Sequence, residues 1–388
     1  MIQIRKVHIH ELMQAAELAN DIFCEPDHRH METSFPTLFH PGISHSYGAF
    51  TEQNRLVSFM GMVPVQIQAG THVLSAFSIG AVCTHPDYRG QRLAGQLLER
   101  CRQHALESGA SLMFISGDRS LYTRAGSQFF GQISQAVLSP DNLASPVSSS
   151  SWEVRDMQTE DIFAVYALLQ SHSSYIHMSL AELQQLIEAA PVAHIRNQQQ
   201  HIRVATVPGE NSIAAVSILS IPPDHAETSN LNGATSSIAE RRGEVLEWGG
   251  QQDAVLALWQ DAASSYTLSS LTVSIPWQET SMIQKVQDIG AKVSIIPNGG
   301  TVMLASGTAL LAQTGLLGDQ ASDHASIHFT VEKENSHYIL HTPQGSYSVQ
   351  GDQALCSLLF DPSSTVLQES GITFPAIPLP YMYGLYFI

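Results

Sequence analysis

The chain has 388 residues, 44% hydrophobic and 14% charged, which is enough for two or three domains with cores of their own. Its net charge of −17 argues against a nucleic-acid partner, since phosphate binding needs clustered Lys and Arg, and is compatible with a cationic substrate such as an amine. No apolar run approaches the length of a membrane span, and the opening MIQIRKVHIHELMQ has no signal-peptide stretch. A soluble cytoplasmic protein without membrane association is expected.

Residues 1–7 read as a strand and 10–24 as a helix that stops before Pro26. The segment 27–41 is polar and interrupted by proline, and it holds Asp27, His28, Phe35 and Phe39. His8 with His10, and His28 with His30, lack a carboxylate or cysteine at ligand spacing, so no metal site is expected. Strands at 46–51, 56–69 and 71–84 alternate with turns, as in antiparallel hairpins. The last of these carries an apolar run, Phe77 to Val82, that reads as buried on both faces. Thr84-His85-Pro86-Asp87 breaks it, because proline lacks a ladder donor. The loop Arg89-Gly90-Gln91-Arg92 follows, then a helix with one apolar stripe at Leu93, Leu97, Leu98, Cys101 and Ala105. Strand, glycine-bearing basic loop and helix in that order make an anion cradle, because the first helical N–H groups and the dipole both favour negative charge. Neither G-x-G-x-x-G nor a Walker loop is present. The four cysteines (Cys24, Cys83, Cys101, Cys356) lie far apart and read as reduced packing residues.

The loop resembles the pyrophosphate loop of the GNAT acetyltransferases, Arg/Gln-x-x-Gly-x-Gly/Ala after a strand end. Arg89 and Ala94 fit its first and last places, and Arg92 stands where the pattern has glycine. A strand at 111–116 then leads to Tyr122-Thr123-Arg124-Ala125-Gly126 and the pair Phe129-Phe130. This is similar to the Tyr-x-Arg-x-Gly stretch of the enhanced intracellular survival acetyltransferases. The resemblance implies a mixed α/β (α+β) architecture of tandem GNAT folds: a catalytic unit over 1–135, a linker from 135 to 151, and a second unit over 152–305. The second unit repeats the strand-then-helix opening in VRDMQTEDIFAVYALL, but has only Gly249-Gly250-Gln251-Gln252 where the basic loop would stand. Residues 224–237 read as a long loop. From 306 to 388 a short helix, three strands and the helix ALCSLLF resemble a sterol-carrier-like region, ending in an aromatic tail.

The same resemblance implies an N-acetyltransferase that uses acetyl-CoA as cosubstrate and needs no metal. Backbone groups of Val82, Cys83 and Thr84 would bond the pantetheine arm. The segment Arg89, Gly90, Gln91, Arg92, Leu93, Ala94 and Gly95 would hold the pyrophosphate. Tyr122 takes the place of the general acid. The strand 75–84 contains no carboxylate, so the terminal carboxylate of Ile388 would serve as base, with structural packing of the tail as the alternative. Asp27, His28, Phe39 and Asp118 are candidates for substrate contact. The acceptor would be a primary amine of a small molecule or a lysine, and a homo-oligomer has family precedent. A non-catalytic acyl-CoA sensor or scaffold is the second reading.

Overall fold

The computed structural model describes residues 2–24, 30–143, 152–210, 212–223, 241–318, 327–333 and 337–388. The first third runs β1 (Gln3–Lys6), α1 (Leu12–Phe23), α2 (Met31–Ser34), α3 (Pro36–Phe39), β2 (Tyr47–Phe50), β3 (Leu56–Ala69), β4 (His72–Thr84), α4 (Leu93–Glu107), β5 (Leu112–Ile115) and α5 (Ser120–Arg124). Next come β6 (Ile133–Leu138), α6 (Pro140–Leu143), β7 (Glu153–Asp156), α7 (Ile162–Leu169), β8 (Ser174–Ile176), α8 (Leu180–Ala189), α9 (Pro191–Ile195), β9 (Gln199–Thr206) and β10 (Ile213–Ile221). They are followed by β11 (Arg242–Gly250), α10 (Gln252–Ser265), β12 (Ser270–Pro276), α11 (Thr280–Asp288), β13 (Lys292–Ile296) and β14 (Thr301–Leu304). The chain closes with α12 (Gly307–Gln313), β15 (His328–Lys333), β16 (His337–Thr342), β17 (Gly345–Gln350), α13 (Asp352–Phe360) and the tail.

Two mixed seven-stranded sheets carry the fold. One is ordered β1-β2-β3-β4-β5-β14, with β8 paired to β3 as well, and the other β13-β6-β12-β11-β10-β9-β7. Each holds one parallel pair, β4 with β5 and β11 with β12. The helix α4 buries Leu93, Leu97, Leu98, Cys101 and Ala105, the stripe its spacing predicts.

The two sheets open alike. Arg5 donates twice to Glu11 at 2.7 Å, and Glu11 also caps the His8 N–H at 2.9 Å. The Arg5 hydrogen bond holds the Glu11 carboxyl at about 2 against the opposing effect of burial. Displaced by 150 positions, Arg155 donates twice to Asp161, and Asp161 caps the Gln158 N–H at 2.7 Å. The same clamp joins strand to helix at the start of both halves, an internal repeat made of contacts as well as element order.

The halves also exchange strands. The segment expected to be a linker from residue 135 is β6, whose apolar positions Ile133, Ala136 and Leu138 are buried. It inserts between β12 and β13 in the second sheet, and a boundary at residue 135 falls inside it. Conversely, the stretch 293–305 breaks at Pro297-Asn298-Gly299-Gly300. Its first part, β13, stays in the second sheet, while β14 crosses to complete the first beside β5. The third region is an antiparallel meander, β15-β16-β17, with α13 burying Leu355, Leu358, Leu359 and Phe360. The loop expected at 224–237 lies outside the described residues.

Candidate active site

The site forms where the central strand leaves its neighbour. β4 pairs with β5 from Ala76–Leu112 to Ile79–Ile115 and then runs on to Thr84 alone on that side. Its register against β3 slips between Phe59–Cys83 and Gly61–Gly80. The slip places Ala81 at φ +48°, a bulge conformation, and strengthens the local bend. The result is a V-shaped opening. His85 N–H donates to Val57 O at 2.9 Å and so faces β3. By strand alternation the N–H groups of Val82 and Thr84 face the opening. Cys83 turns to β3 instead: its thiol is 4% exposed, and burial pushes it up to about 12. That thiol is a packing group.

Gly61 and Gly80 face each other across the slip, and both are needed there. A Cβ on Gly61 would stand 2.7 Å from Gly80 O, and one on Gly80 would stand 2.5 Å from the Ile388 carboxyl carbon. The Ile388 carboxyl carbon and oxygen therefore lie directly on Gly80, at the apex of the opening. The Ile388 side chain is 4% exposed and packs with Phe35, Leu38, Phe59 and Cys83. Phe39, expected to contact substrate, instead stacks on Phe59 at 5.8 Å as part of the same wall, and its ring is 9% exposed. Phe35 is the ring of this helix pair that meets the tail, at 6.1 Å from Phe387. Asp27 and His28 lie outside the described residues. Asp118 is exposed in the loop after β5, and its charge reaches Tyr383.

Opposite the carboxylate side, Tyr122 stands on α5, 6% exposed and packed against Phe77, Cys101 and Ile115. Burial pushes its phenol up to about 12, against the lowering effect of Arg119. The loop before α4 is open. Gly90 sits at φ +80° with nothing within 4 Å of where a Cβ would be. Arg92 is the N-cap of α4 at φ +60°, a left-handed conformation that glycine adopts freely and arginine at a cost. Gln91 and Arg92 are exposed, and Arg89 braces the strand end by donating from Nε to Thr84 O at 3.2 Å. Leu93, Ala94 and Gly95 make up the first helical turn, whose N–H groups have no acceptor within the helix. From Gly95 a cavity of about 440 Å³ continues between α4 and α5 along Leu98, Arg102, Leu121 and Arg124.

The sequence alone does not point to Gly61, Gly80, Arg102 or Tyr383. An isolated glycine inside a strand pattern is a signal of close approach, and both glycines carried it. Tyr383 donates to Ser116 O at 2.6 Å, just past the last paired residue of β5, so the tail enters the opening itself. Among the described residues, no group of three or more His, Cys, Asp or Glu could hold a metal ion. Among them also, no helix is long and apolar enough to cross a membrane.

Residues 3–129 match the family model described as an acetyltransferase (GNAT) domain. No curated protein matches the chain. Among solved structures it is similar to a probable N-acyltransferase of unknown function from Enterococcus faecalis, with a TM-score of 0.65 and 14% identity over 98% of each chain. It is also similar to a GCN5-related N-acetyltransferase from Kribbella flavida, with a TM-score of 0.64 and 11% identity over 99% of this chain and 100% of that one. Eis1 from Mycobacterium abscessus aligns with a TM-score of 0.60 and 14% identity over 96% of this chain and 93% of its own. At such identities the likeness is one of fold. The family match covers the strand, loop, helix and tyrosine that build the opening, so residues 3–129 carry a GNAT acetyltransferase domain.

Proposed function

We propose that the protein is an acetyl-CoA-dependent N-acetyltransferase that moves acetyl directly to a primary amine, of a small molecule or a lysine, in a ternary complex. In this reading residues 1–135 are the catalytic unit, 152–305 a degenerate second unit, and 306–388 a sterol-carrier-like region that delivers the tail. One observation carries the proposal: the Ile388 carboxylate rests on Gly80, where β4 and β5 part beside the Val82 N–H. This arrangement supports the reading of the carboxylate as base, the Val82 N–H as donor and the gap as the slot for an extended thioester arm.

The residues fit the cosubstrate. Gly90 leaves room for a phosphate, the free amides of Leu93 to Gly95 and the charges of Arg89 and Arg92 suit its charge, and the open edge of Val82 and Thr84 can pair an extended amide chain as an added strand would. Acetyl-CoA supplies the activated acyl group. The Ile388 carboxylate takes the proton of the acceptor ammonium, leaving a neutral amine to attack. The Val82 N–H donates to the carbonyl oxygen as charge develops there. Tyr122 is protonated at neutral pH as any tyrosine is, and burial moves its loss of the proton further up, so its hydroxyl can donate to the sulfur as the thiolate leaves.

A non-catalytic acyl-CoA sensor is favoured by one specific feature, the strained Arg92 in the cradle. Isothermal titration with acetyl-CoA, run beside thiol release over a panel of polyamines, amino sugars and lysine peptides, separates the two. Binding with thiol release on an amine is the expected result. Binding without release on any of them supports the sensor, and absence of binding removes both readings.

A further inference from the structure

The second unit has an opening of its own, and the tail fills it. β11 pairs in parallel with β12 only from Arg242–Ser270 to Val245–Val273, then runs on to Gly250 without it. Its register against β10 slips between Ile218–Glu247 and Leu219–Val245, leaving Leu246 as the extra residue of a bulge. Strand splay and bulge fall at the same place as in the first unit. Glu247 comes directly after the bulge, and its Oε1 accepts the Leu385 N–H at 2.9 Å. A Cβ on Gly384 would collide with that carboxylate and would stand 3.2 Å from Leu246 O, so the tail backbone lies flat on the bulge. Across the gap Tyr381 sits beside Ser274, the first β12 residue beyond the paired stretch. Behind Glu247, His172 places Nε2 2.7 Å from Trp248 O and Nδ1 3.1 Å from Glu279. Two acceptors on one ring call for a proton on each nitrogen, so a cation backs the carboxylate.

Three residues separate Leu385 from the chain end. Phe387 N–H donates to Gly384 O at 3.1 Å, closing a turn that swings Ile388 from the second opening to Gly80 in the first. We infer that Glu247, at the bulge of the second unit, is a positioning residue that clamps the tail at Gly384–Leu385 and so fixes the Ile388 carboxylate in the first unit. The opening that would take a cosubstrate arm in a working copy takes the protein's own C-terminal segment here. The inference rests on the reading of that carboxylate as the base, and its test keeps the two apart.

The full-length protein and the variants Glu247→Ala, Glu247→Gln and Gly384→Ala are to be compared by two measurements. One is the initial rate at which a carboxypeptidase removes Ile388 from the native protein, followed by mass spectrometry. The other is kcat and KM for the best amine of the panel, with the acetyl-CoA Kd. Glu247→Ala and Gly384→Ala are each expected to speed trimming at least about tenfold and to lower kcat about tenfold, with the acetyl-CoA Kd unchanged within about twofold. Glu247→Gln keeps an oxygen acceptor for the Leu385 N–H and restores both. Gly384→Ala changes the tail and leaves every side chain of the second unit in place, which guards against a Glu247→Ala chain that does not fold. Unchanged trimming in both alanine variants overturns the clamp. Faster trimming with unchanged kcat leaves the clamp in place and removes the terminal carboxylate from the reaction.

Discussion

Gly80→Ala is the most direct test of where the base sits. An alanine Cβ at this position would lie 2.5 Å from the Ile388 carboxyl carbon and 2.6 Å from its oxygen, where ordinary contact begins at 3.4 Å. Strand backbone on one side and a packed wall on the other leave the carboxylate as the part that yields, by roughly 1 Å, the size of misplacement that can cost about 100-fold in rate. The added methyl touches nothing in the loop at Gly90 or the first turn of α4. The expected result is therefore a kcat lower by about two orders of magnitude, with an acetyl-CoA Kd that is unchanged within about twofold. Stopped assays at saturating acetyl-CoA give kcat, and calorimetry gives the Kd. The thermal midpoint checks that the fold survives. A Gly80→Ala protein that is folded, binds acetyl-CoA and turns over within about threefold of the parent would refute the reasoning, because a base displaced by an ångström cannot leave the rate unchanged.

Tyr122→Phe removes only the hydroxyl and leaves the ring packed against Phe77 and Cys101, so the midpoint should hold while kcat falls by about 10²–10⁴; an unchanged rate would show that the leaving thiolate finds its proton elsewhere. Arg92→Gly relieves a left-handed arginine, a strain of about 1–2 kcal/mol, and loses a cation from the cradle. It should raise or hold the unfolding midpoint, and should weaken acetyl-CoA binding by about tenfold if the guanidinium meets the pyrophosphate. Glu247→Gln tests the burial of that carboxyl. Burial pushes it up to about 7 from an ordinary 4.5, while the Leu385 N–H and His172 pull the other way. A raised carboxyl contributes stability that is full below about 4.5 and lost as pH rises through about 7. Glu247→Gln should match the parent near pH 5 and exceed it by up to about 3 kcal/mol near pH 8.5, read by denaturant titration at both pH values. A difference that does not change with pH would show that the carboxylate is not desolvated.

Local periodicity told where many of the elements form, and it was silent on which sheet they join. The α4 stripe and the β3–β4 hairpin could be read because each is fixed by residues within one or two turns of each other. β6 could not, since Ser134, Gln135 and the polar run after Leu138 leave only Ala136 and Leu138 as an apolar alternation, with Ile133 on the other face. Its partners, β12 and β13, lie more than a hundred residues downstream. The break between β13 and β14 was visible as Pro297-Asn298-Gly299-Gly300, yet nothing local says that the chain crosses there to another sheet. The site divides in the same way. Arg89, Gly90 and Tyr122 stand in contiguous motifs, whereas Gly80 matters because of residue 388, and Glu247 because of residue 385. Phe39 looked like a wall residue facing substrate, and it is one facing Phe59, a distinction that hydrophobicity alone does not make.

A base at the end of a chain must be held there against conformational entropy of about 1–2 kcal/mol for each ordered residue. From Ile377 onward the tail meets that cost with closely spaced anchors. Ile377 N–H donates to Leu359 O at 2.6 Å. Leu379 O accepts from Gln278 at 3.0 Å. The buried Asn298 takes both sides of the chain, donating to Pro380 O at 2.8 Å and accepting from Met382 N–H at 3.0 Å. Tyr383 and Leu385 follow with Ser116 and Glu247. Only Ser116 of these partners belongs to the first unit; Gln278, Asn298 and Glu247 all come from the second unit or the crossing that ends it. The strand exchange then has a mechanical sense. β6 and β14 tie the two openings together through the sheets, so that a tail docked in one presents its carboxylate at a fixed place in the other. On the proposed reading a second unit without a basic cradle is no vestige: the first unit has no carboxylate on its central strand, and the second would hold one over Gly80.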